Sequence, residues 1–298
     1  MNKSVRDILS MKNSKKITVI TSYDYTTAQL CDKAGVDILL VGDSAGMVIL
    51  GYENTIPVTM EQMCLFTEAV SRGRQNALLV SDMPFMSYQA SKSQAIENAG
   101  RLIKAGADAV KLEGGTEIKE TVRAIVEIGI PVMGHIGFQP QTTTLQVGYK
   151  VQAKTKDAAL RLIEAAKALE EAGAFSIALE MVTKEVSKLI SSSIGIPTIG
   201  IGSGPDCDGQ VLVVHDVLGL YEKIKPKFAK RYLELSSDII KALESYKNDV
   251  VSGKFPGTAL PPPNGAARAR RCTDRSGFRS GRTARRTGHG APGPSSSV

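Results

Sequence analysis

A closed (β/α)8 barrel, the single-domain TIM-barrel class, is the fold the sequence predicts, and three observations predict it. Eight short apolar runs alternate along the chain with stretches of helical apolar spacing, the pattern that builds a parallel sheet covered by helices. Residues 1–260 have the length such a barrel needs, about 250 residues. Acidic residues close several different runs. A barrel places chemistry at the carboxyl ends of many strands, whereas an open doubly wound sheet, the main rival, gathers ligands at one switch point.

The elements follow in order. ITVITSYD precedes a helical stretch over residues 26–35, ILLVGDS is followed by one over 60–73, and ALLVSDMP by one over 91–106. AVKLEGG leads to 117–129, PVMGHIG to 156–173, SIALEM to 183–195, and PTIGIGSG to a last apolar run, GQVLVVHD. Each run is rich in aliphatic residues and bounded by Gly, Pro or polar residues, as a buried strand requires. Several helical stretches stop at a glycine, as in KAG at 33–35 and 104–106, because glycine enters the left-handed conformation that ends a helix.

Charge and composition narrow the function classes. The net charge of +7 invites a nucleic-acid reading, but its distribution opposes one. Residues 261–298 hold eight Arg, one Asp and no Lys, which leaves 29 basic and 29 acidic residues in the barrel. This Arg/Gly/Pro/Ser-rich tail has little to bury and is expected to be disordered, with at most weak, charge-driven affinity for polyanions. No apolar stretch approaches the ~20 residues that span a bilayer. The start, MNKSVRDILSMKNSKK, lacks the apolar centre of a signal peptide. A cytoplasmic protein with no membrane partner and no specific nucleic-acid partner is expected. Cys31, Cys64, Cys207 and Cys272 are far apart and form no CxxC pair, so free thiols are expected.

Four carboxylates stand at strand ends: Asp43 after ILLVG, Asp82 after ALLVS, Glu113 within AVKLEGG and Glu180 after SIAL. Burying such a group unpaired is costly, so a set of them at one rim implies a cation, a shared proton or open solvent. Lys111 stands two residues before Glu113, and the period of a strand puts both side chains on one face. Its ammonium is suited to hold an acidic substrate. His135, in GHIG at a strand end, is a candidate hydrogen-bond donor to substrate, although an isolated histidine is more often structural. His215 in VLVVHD has weaker support. Asp206 and Asp208 in PDCDGQ read as turn formers, since a calcium loop needs more oxygen ligands. GIGSG at 200–204 is too short a signal for a phosphate loop and is read as close packing, or close approach of a bound pterin, at the barrel mouth. Tyr23, Asp24 and Tyr25 are expected to line that mouth, and Gly148, Tyr149 and Lys150 to begin a loop after the fifth strand.

Longer blocks carry a resemblance. TSYDYTTAQLCDKAGVDILLVGDSAGMVILGYENTIPVTMEQM, SDMPF, VKLEGG, GHIGFQPQ, GYKVQ, ALEMV, GIGSGPDCDGQVLVVHDVLG and PKFAK resemble the ketopantoate hydroxymethyltransferase family over residues 17–257. The resemblance implies a (β/α)8-barrel enzyme, commonly a homodecamer, that uses Mg2+ and 5,10-methylenetetrahydrofolate to hydroxymethylate 3-methyl-2-oxobutanoate through a Mg2+-stabilised enolate. By motif it makes Asp43, Asp82 and Glu113 the metal ligands. It also makes Asp43, Ser44, Asp82 and Lys111 contacts of the oxo acid and Glu180 the proton acceptor, while His135 is expected from its place in GHIG to hydrogen-bond substrate or a metal-bound water. Hard oxygen ligands suit Mg2+, and a 2-oxo acid offers its carboxylate and keto oxygens to such an ion. Val147, Ala153 and Ser203 stand where the family pattern has Gly, Gly and Ala, which touches loop conformation and folate affinity rather than the chemical class.

Two other readings compete. A barrel lyase or mutase acting on oxo acids or phosphoenolpyruvate shares the strand-end carboxylates, but its KKCGH-like cysteine loop is missing from the chain. A binding module recruiting RNA or membrane through the Arg-rich tail is opposed by the neutral barrel and the intact acid set.

Overall fold

The computed structural model describes residues 3–142, 150–223 and 225–257. In chain order the elements are α1 (Val5–Ser10), β1 (Ile17–Thr21), α2 (Tyr25–Lys33), β2 (Ile38–Val41), α3 (Ala45–Val48), α4 (Met60–Gly73), β3 (Leu78–Asp82), α5 (Lys92–Lys104) and β4 (Ala109–Glu113). They continue with α6 (Lys119–Glu127), β5 (Val132–Gly137), α7 (Lys156–Glu171), β6 (Ser176–Glu180), α8 (Lys184–Ser193), β7 (Thr198–Ile201), β8 (Gly209–Leu212), α9 (Val214–Leu218) and α10 (Leu235–Val251). Short 3-10 turns occupy Thr116–Ile118 and Pro140–Thr142.

β1 to β8 close into a barrel in sequence order, and every neighbouring pair is parallel, including β1 with β8. Side chains alternate across it. Ile17, Val19, Ile38, Leu40, Leu78, Val80, Ala109 and Met133 form an inner cluster, to which Ile8 of α1 and Met11 just after it are added. Leu39, Val41, Leu79, Val110, Leu112, Val132, Ile177 and Leu179 belong instead to the cluster that the covering helices pack against. The two-residue strand period therefore turns Asp82, Lys111, Glu113 and His135 to the same side as Val80, Ala109 and Met133, into the barrel.

Helix starts and stops obey local chemistry. Asp24, Thr59, Ser91 and Thr155 cap α2, α4, α5 and α7, their side chains accepting from the backbone N–H three residues on. These bonds satisfy donors that a helix start leaves unpaired. Gly35 and Gly106 take φ of 81° and 106°, as expected of the KAG stops.

One strand differs from expectation. GQVLVVHD was expected to be a single strand, but β8 ends at Leu212 and α9 begins at Val214. A short apolar run fits either period. The N–H of Val214 donates to Thr21 Oγ1 at 3.0 Å, turning the chain at the barrel rim.

By its contacts the chain forms two compact units, Met1–Leu243 and Glu244–Val298. In the second, the rings of Tyr246 and Phe255 meet edge-on at 5.6 Å. Residues 261–298 and Cys272 lie outside the described residues, as do Val147, Gly148 and Tyr149. Among the described residues, no helix is long and apolar enough to cross a membrane.

Candidate active site

The carboxyl ends of β2 to β6 deliver the site. Asp43 follows β2, Asp82 and Glu113 close β3 and β4, His135 lies in β5, and Glu180 closes β6. Register brings them into adjacent positions: Asp82 is level with Lys111, Glu113 with His135, and Gly137 with Glu180. Asp43, Asp82, Lys111, Glu113 and His135 are all buried, and the Glu180 side chain is 14% exposed.

The buried groups form a connected chain of contacts. Asp82 Oδ1 stands 3.0 Å from Lys111 Nζ, and Asp82 Oδ2 accepts from the Asp43 backbone N–H at 3.1 Å. Lys111 Nζ is 3.3 Å from His135 Nδ1, which is also 3.4 Å from Glu113 Oε1. The other ring nitrogen, Nε2, faces Glu180 Oε2 at 3.3 Å. His135 thus joins both Lys111 and Glu113 to Glu180.

Charge in this enclosure is unbalanced toward negative. Burial first, then the Asp82 and Glu113 carboxylates, push Asp43 up to about 8. Burial raises Asp82 as well, against the Lys111 ammonium. Burial also opposes the charge on Lys111, yet Asp82, Glu113 and Asp43 outweigh it and hold the ammonium above its ordinary pKa. Burial and the Lys111 charge work against a protonated His135, but Glu113 and Glu180 prevail and lift it to about 9. All four shifts are upward and express one condition, more carboxylates than cations in a buried enclosure when every group is ionised.

The donor set suits a hard divalent ion, which takes carboxylate oxygens. Asp82 Oδ1, paired among the described residues with the Lys111 ammonium at 3.0 Å, keeps a lone pair for one. As placed, the carboxylates turn to protein partners instead, and among the described residues no three His, Cys, Asp or Glu side chains converge as a ready cage. Asp43 Oδ2 accepts from Gln141 Nε2 at 3.0 Å, and Glu113 Oε2 from the Gln141 backbone N–H at 3.0 Å.

The remaining candidates separate into site and scaffold. Ser44 is half-buried, its Oγ 2.8 Å from the buried Tyr23 hydroxyl, so Tyr23 joins the site. Asp24 caps α2, and the exposed Tyr25 accepts from Gln29 Nε2. Asp208 is a scaffold clamp rather than a simple turn former: its Oδ2 takes Lys12 Nζ at 2.7 Å and the Thr198 N–H at 2.9 Å. The His215 ring stands 5.6 Å from that of Tyr23. Lys150 is exposed. Ser203, within GIGSG, donates to Leu179 C=O at 2.7 Å and accepts from the Val182 N–H at 3.0 Å, bracketing Glu180. Gln141 and Tyr88 were assigned no role from sequence. Gln141 lies in the FQPQ block, the one signal that could have singled it out.

Comparison with known proteins places this geometry. The profile of the ketopantoate hydroxymethyltransferase family matches residues 2–258. A relative from Nitrosopumilus maritimus (strain SCM1), a 3-methyl-2-oxobutanoate hydroxymethyltransferase, is 72% identical over 257 residues, covering 86% of this chain and 92% of the relative. One of the same name from Cenarchaeum symbiosum (strain A) is 60% identical, over 83% and 93%. Among solved structures, a phosphonopyruvate hydrolase in complex with oxalate and Mg2+ superposes with a TM-score of 0.58 at 13% identity, over 88% of this chain and 93% of that one. A 2,3-dimethylmalate lyase gives 0.54 at 15%, over 88% and 92%. At such identities the likeness is one of fold.

Fold, site and relatives define an enzyme of the (β/α)8-barrel class, a transferase. The chain belongs to the ketopantoate hydroxymethyltransferase family. That membership decides against the lyase and mutase reading; the solved lyase and phosphomutase structures are matched in fold.

Proposed function

We propose that this chain transfers a hydroxymethyl group from 5,10-methylenetetrahydrofolate to 3-methyl-2-oxobutanoate, giving 2-dehydropantoate (ketopantoate) and tetrahydrofolate, with Mg2+ as its divalent ion. One observation carries the reading: His135 links Glu180 to an enclosed set of three carboxylates and one ammonium. Such a set has separate places for holding an anionic oxo acid and for removing its proton.

Asp43, Asp82 and Glu113 would hold the divalent ion, which when bound supplies Lewis-acid polarisation of a carbonyl. Lys111 meets the oxo acid's negative charge, and the hydroxyl of Ser44, positioned by Tyr23, donates to it. Glu180 accepts the C3 proton as the C3–H bond breaks, with His135 beside it. The resulting enolate forms a bond from C3 to the donor's methylene carbon as one of its two C–N bonds breaks; a water then supplies the hydroxyl oxygen as the second C–N bond breaks, and the proton taken by Glu180 and the one released by water go to the two nitrogens of the departing tetrahydrofolate. Lys111 offsets the enolate charge in a buried setting where a fixed ammonium acts strongly.

Cytoplasmic location and assembly as a homo-oligomer, a decamer by the family resemblance, belong to the same reading. The exposed Tyr232, Ile240 and Leu243 leave apolar surface for neighbouring copies. The test is product formation from the two substrates, followed as ketopantoate. Mg2+-dependent turnover that EDTA removes supports the assignment, and its absence with folded protein and both substrates refutes it.

A further inference from the structure

We propose that Gln141, held by Tyr88, is a positioning residue that sets the spacing of the Asp43 and Glu113 carboxylates. Gln141 is buried at 1% exposure in the turn after β5, 98 residues from Asp43 in sequence. Its two amide protons go to Asp43 Oδ2 at 3.0 Å and Met83 C=O at 2.9 Å, and its backbone N–H goes to Glu113 Oε2 at 3.0 Å. One residue therefore grips two carboxylates that arrive on different strands.

Tyr88 fixes the amide from behind. Its hydroxyl lies 2.8 Å from Gln141 Oε1 and 2.9 Å from Glu113 C=O, and it accepts from the Glu113 N–H at 3.1 Å. With acceptors on the nitrogen side and a hydroxyl donor shared with Glu113 C=O on the oxygen side, the amide is held in one orientation. The amide also brings no charge. A lysine in its place would neutralise the anion locally and compete with a bound cation, whereas an amide orients the carboxylate and leaves its charge intact.

This role rests on the proposed divalent-ion site, and calorimetric titration with Mg2+ alone tests the two separately. Wild-type protein that binds no Mg2+ overturns the ion site itself. If wild type binds, Gln141→Leu is expected to weaken binding by about tenfold or more, the scale for groups that orient metal ligands. Tyr88→Phe is expected to weaken binding about threefold by freeing the amide. Asp208→Asn, a destabilised control far from the site, retains wild-type Mg2+ affinity if the effect is one of positioning. A folded Gln141→Leu protein within twofold of wild type overturns the proposal. Should that variant not fold, unchanged affinity in Tyr88→Phe overturns it.

Discussion

His135 Nε2 faces Glu180 Oε2 at 3.3 Å while His135 Nδ1 faces Glu113 Oε1 at 3.4 Å. One imidazole thus stands between the proposed base and the proposed ion site. His135→Ala is expected to lower kcat more than it raises KM. A buried partner left unsatisfied costs about 1–3 kcal/mol, roughly five- to 150-fold in rate if it falls on the transition state. Steady-state kinetics with varied oxo acid check the split between the two constants.

Gly137 pairs with Glu180 across β5 and β6 at φ 102°, and a Cβ placed there would lie 2.3 Å from the Glu180 carbonyl oxygen. Gly137→Ala is therefore expected to displace the strand end bearing Glu180. The strained φ alone costs about 1–2 kcal/mol, and the backbone clash adds to it. Thermal melting and kcat are expected to fall together, and full activity in this variant would contradict the placement of Glu180.

Much of the fold was legible because its signals are local. Alternation of apolar runs and glycine stops gave eight strands in order, and the two-residue period put Lys111 and Glu113 on one face. The boundary between β8 and α9 was not legible, since GQVLVVHD fits both periods. The clamp at Asp208 and the grip of Gln141 on Asp43 depend on closing the barrel, which no local pattern encodes. The strand-end acids were visible as candidates, but their pairing through His135 was not.

Acid stability is expected to depend on Asp208. Burial works against its charge, yet the Lys12 ammonium and the Thr198 and Asn13 N–H groups hold its pKa below the ordinary carboxylate value. Asp32 and Asp37 are lowered too, by backbone N–H donors at Ala77, Asn76 and Thr18 against their burial. A depressed carboxylate contributes stability that is full above its unfolded pKa and lost as pH falls through the lowered folded value. Urea midpoints are expected to drop from about pH 4 downward. Asp208→Asn removes part of that slope and costs about 3 kcal/mol at neutral pH by stranding a buried lysine.

The surplus of buried anion predicts a specific cation effect on stability. Millimolar Mg2+ is expected to raise the melting temperature by mass action on the folded state, and EDTA to reverse it. NaCl at equal ionic strength is expected to do much less, because buried charges are weakly screened. Equal shifts with both salts would argue against an ion site at Asp43, Asp82 and Glu113.

The central claim is that Glu180 removes the C3 proton of an oxo acid held beside the carboxylates. Its most direct measurement is exchange of that proton of 3-methyl-2-oxobutanoate in D2O, followed by proton NMR, with and without Mg2+ and 5,10-methylenetetrahydrofolate. The account predicts Mg2+-dependent exchange by the wild-type protein and its loss in Glu180→Gln, with substrate binding retained. Full exchange in Glu180→Gln would contradict it.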